Sequence, residues 1–473
     1  MSRSQGETSP RGGSLPQGQA DATGSLWQTQ ARLSSGRKST TAWWIFDSSG
    51  KLVAVAMPAL RPRGITERVR DALGDTPVVA IVGARQVGKS TLMHHLVETA
   101  PGDWTSLTLD DLNVLERAKS DPEGLLASMT GPVAIDEVQR APGLMLAIKA
   151  AVDRDRRPGR FLLTGSADVF ALPRYGDALT GRVETATLRP FSQGELAERH
   201  EDFVTWAFSS EPPPPLGAPP HDLPRRVLTG GFPPATLRAS EERRQAWFDA
   251  YWSTSLQRDV HDVAGVARWT DLPRLARLAA ARTAQSANYA EMARTLSLPT
   301  TTLTRYLQVL AALFLVETIP AWSTNAGKRV ARRPKLVVSD TGLAAALLGV
   351  SMETWDTDRP LAVRGAFLES FVGLEIAKQL TWSRTNASLY HYREHDGAEV
   401  DLLLEARDGS VVGLEVKASH RVGKSAVDHL THLRDALGER FVRGVVLHTG
   451  TTTAALTERI WALPIHALWE FGG

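Results

Sequence analysis

From Val78 onward the chain alternates short, mostly apolar runs with longer segments in which apolar residues return every three or four positions. Short apolar runs bounded by turns predict buried strands, and the longer periodic stretches predict amphipathic helices. The strand candidates are Val78–Val82, Ser106–Leu109, Val133–Ile135, Phe161–Thr164 and Val183–Leu188. A helix candidate, Thr66–Leu73, precedes the first strand, and another, Thr91–Val97, follows it. Such alternation predicts an α/β domain with a mostly parallel sheet. The Pro-rich stretch Glu211–Pro220 breaks the pattern and predicts an exposed loop. Mostly helical sequence continues to about Val263, followed by a helix-turn-helix pattern and, from about Met352, a separate mixed α/β segment.

The N-terminus reads differently. Residues 1–42 are rich in Ser, Gly, Gln, Thr and Arg, and so cannot bury enough surface to offset their ordering entropy; they are expected to be disordered. Trp43–Leu60 is more apolar, and the Ser48-Ser49-Gly50 turn signal predicts a small hairpin. Met57 lies just before the first clear helix pattern and is a candidate start of translation.

Composition narrows the class. The 473 residues are 42% hydrophobic and 22% charged, as in a soluble globular protein, and no window is apolar enough for a membrane span. No apolar stretch follows the N-terminal arginines, so no signal peptide is read and a cytoplasmic location is expected. There are no cysteines, which excludes disulfides and Cys-ligated zinc. A net charge of +2 does not point to a partner, but of 54 basic residues only ten are lysines. A lysine inside a motif therefore marks a position where a compact ammonium matters, as at Lys89 and Lys417.

Gly83-Ala84-Arg85-Gln86-Val87-Gly88-Lys89-Ser90 matches G-x-x-x-x-G-K-[ST] between a predicted strand and a helix that Thr91 opens. Glycines let the backbone wrap closely, so that its N–H groups and the helix N-terminus cradle phosphates. Lys89 is expected to reach the β- and γ-phosphates of ATP, and the Ser90 hydroxyl to ligate Mg²⁺. Val133-Ala134-Ile135-Asp136-Glu137 is an apolar strand ending in two carboxylates. Asp136 suits the Mg²⁺ site, and Glu137 suits polarising the attacking water. In Phe161–Ser166, Thr164 or Ser166 is placed to touch the γ-phosphate or the water. Arg182 is a candidate for transition-state charge, in cis or on a neighbouring subunit.

These residues resemble the bacterial and archaeal AAA-type P-loop ATPases that carry a C-terminal domain of uncharacterised function. The resemblance rests on Gly83–Thr91, Leu109-Asp110-Asp111, Ile135–Gln139, Leu163–Ser166, Leu179–Val183, Gly230–Pro233, Gln257-Arg258-Asp259 and Glu415-Val416-Lys417. It covers about Gly64 to the end and implies an AAA-type core, a helical lid and a winged helix. The expected division is an N-terminal extension over 1–56, the ATPase core over 57–205, the lid over 206–263, the winged helix over 264–351 and a nuclease-like domain over 352–473.

Ala290–Leu296, the turn Ser297-Leu298-Pro299 and Thr300–Leu310 form the helix-turn-helix pattern, with Leu303, Tyr306, Leu307 and Leu310 on one face of the second helix. Thr301, Thr302, Arg305 and Gln308 face outward, where they suit phosphates or base edges. After the strand Leu315–Ile319, Lys328, Arg329, Arg332, Arg333 and Lys335 predict a basic wing. Arg282 to Lys335 holds eight basic and two acidic residues, which suits a DNA backbone. The alternative is a winged helix used for protein contacts.

In the last third, helix Ala366–Leu380 carries Glu369, Glu399–Leu404 carries Asp401, and Val411–Lys417 carries Glu415 and Lys417. Residues two apart on a strand share a face, so Glu415 and Lys417 are expected beside Asp401. This set resembles the PD-(D/E)xK nuclease core, in which Asp and Glu bind Mg²⁺ and Lys assists the attacking water or the developing phosphate charge. The sequence thus predicts an ATP-hydrolysing switch acting on DNA. The alternative is a nucleotide-gated regulator or scaffold that only binds, as a homo-oligomer or with a protein partner.

Overall fold

The computed structural model describes residues 42–46, 52–56, 60–167, 179–218, 220–264, 271–325, 327, 329, 332–357, 361–394 and 398–472. The expectation of disorder over 1–42 falls almost wholly outside them, as does Lys328. Two compact units result, Met1–Leu60 and Arg61–Gly473. The first contains the predicted hairpin, in which β1 (Ala42–Phe46) pairs antiparallel with β2 (Leu52–Ala56).

The second unit opens with helix α1 (Thr66–Asp75), strand β3 (Val78–Val82) and helix α2 (Lys89–Thr99). Then come β4 (Thr105–Thr108), β5 (Val133–Asp136), helix α3 (Leu144–Arg154), β6 (Phe161–Gly165) and β7 (Val183–Thr187). The five strands form an all-parallel sheet in the order β4-β5-β6-β3-β7. A parallel sheet is covered on both faces, and β3 is buried throughout. Val79 and Ile81 pack with Val69, Leu92 and Leu96, whereas Val78 and Ala80 pack with Leu144, Ile148 and Val152 on the other side. This two-residue alternation explains why the strand reads as one unbroken apolar run.

Helix α4 (Glu241–Ala264) leads to three helices, α5 (Leu272–Ala281), α6 (Tyr289–Leu296) and α7 (Thr300–Ala312). They accompany a three-stranded antiparallel sheet of β8 (Gln285–Ser286), β9 (Val316–Ile319) and β10 (Lys335–Val338), in the order β8-β10-β9. Asn288 caps α6 by accepting from the Glu291 N–H, and Ser297 ends it in the left-handed region. The predicted face of α7 is buried as expected, with Val309 added to it, and Thr301, Arg305 and Gln308 are exposed.

Helix α8 (Leu361–Gln379) precedes a six-stranded mixed sheet. Its strands are β11 (Ala387–Arg393), β12 (Glu399–Ala406), β13 (Val411–Lys417), β14 (Phe441–His448), β15 (Ala454–Thr457) and β16 (Ile460–Pro464), with α9 (Lys424–Leu437) between β13 and β14. The hairpin of β9 and β10 is sewn into this sheet. The Trp322 N–H donates to the His391 carbonyl at 2.7 Å, and the His391 N–H to the Pro320 carbonyl at 3.0 Å. The Trp322 ring lies in the C-terminal core with Leu403, Leu430 and Phe441.

Candidate functional site

The loop Gly83–Gly88 leaves the C-terminal end of β3 and enters α2 at Lys89. Ligands of open parallel sheets bind at this end. Gly83 has φ 153°, and a Cβ there would lie 2.1 Å from the Leu188 carbonyl oxygen, so only glycine fits. Gln86 and Gly88 also have positive φ (63° and 100°). Ala84 and Val87 are buried, Arg85 is half-buried, and Gln86 and Thr91 are exposed. Lys89 is buried and folds back on the loop, donating to the carbonyls of Gly83 and Ala84 at 2.9 Å each.

The adjacent end of β5 supplies the carboxylates. The Ser90 hydroxyl donates to Asp136 Oδ1 at 3.0 Å, and the Thr164 hydroxyl from β6 donates to the same oxygen. Glu137 stands in the left-handed region (φ 61°), and its N–H donates to Thr164 Oγ1 at 3.1 Å. A non-glycine residue held there stores strain of about 1–3 kcal/mol, typical of functional positions. The Gln139 amide donates to Glu137 Oε2 and, at 2.8 Å, to Ser166 Oγ. Lys89, Ser90, Asp136, Glu137, Thr164 and Ser166 therefore meet at one end of the sheet. A hydroxyl and a carboxylate on adjoining elements form a hard oxygen donor set that fits Mg²⁺.

Arg182 does not join them. It precedes β7, its carbonyl accepts from the Val78 N–H at 3.2 Å, and its side chain pairs with Asp153 at 2.7 Å. It therefore sits at the opposite end of the parallel strands, about 13 Å along β3 from the loop. This corrects the cis role expected for Arg182.

Sequence reasoning missed Arg63. Its guanidinium donates to the Val87 carbonyl at 2.8 Å and to the Arg189 carbonyl at 2.6 Å, and pairs with Glu195 at 3.0 Å, all largely buried. It also lies 4.5 Å above the Phe191 ring. No local motif marks an arginine before a helix, and the contacts with Arg189 and Glu195 span more than a hundred residues.

A second constellation forms where β12 and β13 stop pairing beyond Leu402 and Leu414. Asp401 Oδ2 accepts from the Val416 N–H at 2.8 Å. Lys417 Nζ lies 2.6 Å from Glu415 Oε2 and 3.9 Å from Asp401 Oδ2. Burial, reinforced by Asp401, pushes Glu415 up to about 8; the same causes push Glu369 on α8 up to about 8. Burial pulls the Lys417 ammonium down, but Glu415 and Asp401 outweigh it and raise its pKa. The structure thus brings together Glu369, Asp401, Glu415 and Lys417. Among the described residues no three His, Asp or Glu side chains form a group that could hold a metal ion.

The basic run expected to face DNA is largely turned inward. Arg329 pairs with both Glu405 oxygens (2.6 and 2.9 Å) and lies 5.3 Å from the Trp322 and Tyr390 rings. Arg332 donates to the Arg393 carbonyl at 2.7 Å, and Lys335 is buried 2.6 Å from Glu369 Oε1. This corrects the reading of Arg329 and Lys335 as phosphate-facing, because the hairpin packed on the next sheet directs these two cations to carboxylates, whereas Arg333 is exposed.

Residues 75–197 match the AAA domain family, and with the parallel sheet and its loop this makes the region an AAA-type P-loop ATPase domain. Residues 220–354 and 364–468 match two domains of unknown function (DUF8612 and DUF4143). The whole chain belongs to the family of two uncharacterized mycobacterial proteins, Rv2008c of Mycobacterium tuberculosis and Mb2031c of Mycobacterium bovis. Each is 30% identical over 426 residues, covering 90% of this chain and 88% of its own. Partial structural likeness extends to the Walker-type ATPase PABY2304 of Pyrococcus abyssi (15% identity, TM-score 0.38, 60% of this chain and 94% of that one). It extends also to the Thermotoga maritima RuvB Holliday junction branch migration motor (16% identity, TM-score 0.28, 55% and 93%). No helix among the described residues is long and apolar enough to cross a membrane.

Proposed function

We propose that the chain binds ATP with Mg²⁺, hydrolyses it, and uses the cycle to switch a DNA-directed module formed by a winged helix and a nuclease-like C-terminal domain. The observation that carries the ATPase half is the meeting of Lys89, Ser90, Asp136 and Glu137 at the carboxyl end of β3 and β5. Lys89 exchanges the Gly83 and Ala84 carbonyls for phosphate oxygens, and the loop N–H groups hold the rest of the polyphosphate. Ser90 and Asp136 would hold Mg²⁺, which when bound would supply positive charge against the charge developing on the phosphoryl group. Glu137, held by Gln139 and by the Thr164 hydroxyl, accepts a proton from the attacking water, and Ser166 orients it. Arg182 is left with a role only on a neighbouring subunit.

Exposed Thr301, Arg305 and Gln308 on α7 support the DNA half. The convergence of Asp401, Glu415 and Lys417 supports the nuclease-like reading, with Asp401 and Glu415 as the metal-holding residues. A second reading, a nucleotide-gated scaffold without cleavage, is favoured by the two lysines that already neutralise that cluster.

Turnover and binding measured together test the ATPase half. Lys89→Ala should abolish nucleotide binding, whereas Glu137→Gln should bind ATP with near wild-type affinity and hydrolyse it about 100-fold more slowly. Wild-type turnover in Glu137→Gln would remove Glu137 as the base.

A further inference from the structure

A cavity of about 310 Å³ lies where α1, β7, the β9–β10 hairpin and α8 meet. Small-molecule sites span roughly 300–1,000 Å³, so it is large enough for a small ligand. One wall is β7, the edge strand of the parallel sheet. The Val78 N–H donates to the Arg182 carbonyl at 3.2 Å and the Leu188 N–H to the Val82 carbonyl at 2.7 Å, so even-numbered residues here turn their main chain to β3. The N–H and carbonyl groups of Thr185 and Thr187 therefore point the other way, off the sheet edge. A second wall is apolar, made by Leu374 and Ala377 of α8 and by Leu380 just past its end.

Charge is unevenly spread around this space. Among the described residues lining it, Arg68 of α1 and Arg189 after β7 are cationic and Glu317 alone is anionic. Glu317 is taken by Arg189. The Arg68 side chain is half exposed and loosely held, by the Thr381 carbonyl at 3.3 Å and by Glu184 at 4.0 Å. A guanidinium beside main-chain N–H groups at a sheet edge attracts an anion, whereas the α8 wall offers only apolar surface. The same stretch of chain reaches the phosphate loop. Thr185, Thr187 and Arg189 line the cavity, and the Leu188 carbonyl abuts Gly83. The Arg189 carbonyl accepts from Arg63, which also holds the Val87 carbonyl.

We propose that this cavity is a second ligand site, taking a small amphipathic carboxylate, and that its occupancy tightens nucleotide binding. The carboxylate end sits on Arg68 and the edge N–H groups of Thr185 and Thr187, and the apolar body lies along Leu374, Ala377 and Leu380. Residues 185–189 are the shared element: a ligand that orders them steadies the segment on which Gly83 and Arg63 rest. By linkage, nucleotide then raises the affinity for the carboxylate by the same factor. The site stands apart from the nucleotide and from the Asp401 cluster, so it does not depend on how either is used.

The probe is decanoate, kept below its micelle concentration and titrated calorimetrically into the nucleotide-free full chain. Wild type should bind it saturably, at one site per chain. Ala377→Phe, which fills the cavity from α8, should weaken binding about tenfold or more. Arg68→Gln, at an exposed position of α1, should weaken it about fivefold by removing the cation. Saturating decanoate should also tighten the binding of a non-hydrolysable ATP analogue about fivefold. No saturable binding, or wild-type affinity in both variants, overturns the proposal. So does analogue affinity that decanoate leaves unchanged or weakens. If Ala377→Phe does not fold, Arg68→Gln decides in its place.

Discussion

Glu201 shows how far a single buried acid departs from a surface one. It is 2% exposed, accepts a hydrogen bond from the Ser192 hydroxyl, and lies near Glu375 and Glu195. Burial lifts it to about 8 against the Ser192 hydrogen bond, with the two neighbouring glutamates adding to the rise. The folded pKa thus lies above the unfolded one, and the folded chain keeps a proton that the unfolded chain releases. Its contribution to stability is complete below about pH 4.5 and is lost as pH rises through about 8. One such proton gives a slope of at most about 1.4 kcal/mol per pH unit. Urea unfolding of wild type at pH 6 and pH 9 should show this loss. Glu201→Gln, neutral at both, should lose less; identical slopes in the two proteins would assign the pH dependence elsewhere. Nothing in the sequence marks Glu201: Ser192 and Glu195 are close along the chain, but the burial that raises it is completed by tertiary packing, with Glu375 brought in from far along the chain. Lys89, Asp136 and Glu137 were legible because their chemistry demands neighbours at fixed spacing.

At the scale of elements, periodicity located the five parallel strands and both helices of the helix-turn-helix to within two residues. The two helices bury one repeating set of positions and the inner strands β3, β5 and β6 bury every position, and both patterns are written locally. What periodicity does not carry is which way a charged residue turns when its element docks. Arg329 and Lys335 read as a solvated basic run, yet they are anchored on Glu405 and Glu369. Any DNA contact is then left to exposed Arg333 and to the exposed face of α6 and α7, where Arg294 and Arg305 lie. Replacing both with Ala should weaken binding on every sequence and lower the salt slope by about two. Arg329→Ala should instead reduce stability, with DNA affinity unchanged in the folded fraction. If fluorescence anisotropy across a salt titration shows no change for the Arg294 and Arg305 variant, the helix-turn-helix belongs to protein contacts. Arg63 makes a similar point for α1. Arg63→Ala strands Glu195 and frees the Val87 carbonyl, and should cost about 3 kcal/mol of stability and weaken nucleotide binding. Full nucleotide affinity in this variant would show that the loop holds its shape without the clamp.

The whole of Arg61–Gly473 is tied together by α8. In its middle, Glu369 pairs with Lys335; near its C-terminal end, Glu375 and Lys378 grip the ATPase domain. Lys378 Nζ donates to the Phe191 carbonyl at 2.9 Å, and Glu375 Oε2 accepts from the Gln193 N–H at 2.8 Å. Phe191 lies under the Arg63 guanidinium, which holds the Val87 carbonyl of the phosphate loop. One rigid helix therefore touches the segment that braces the nucleotide site and the cluster that holds Lys335. Contiguity alone is not coupling; coupling requires that nucleotide change the equilibrium of an element shared by both sites. If α8 is that element, a non-hydrolysable ATP analogue should alter amide exchange over 191–195 and over 361–379, beyond the loop itself. Lys378→Met removes the ammonium that ties Phe191 to Glu375 without touching nucleotide. It should abolish the response over 361–379 while leaving nucleotide affinity within about twofold, a difference of roughly 0.4 kcal/mol. Exchange changes confined to 83–91 in wild type would instead show the two sites to be energetically separate. A response in α8 that persists in Lys378→Met would route the coupling through the buried apolar contacts of α8 rather than through this ion pair.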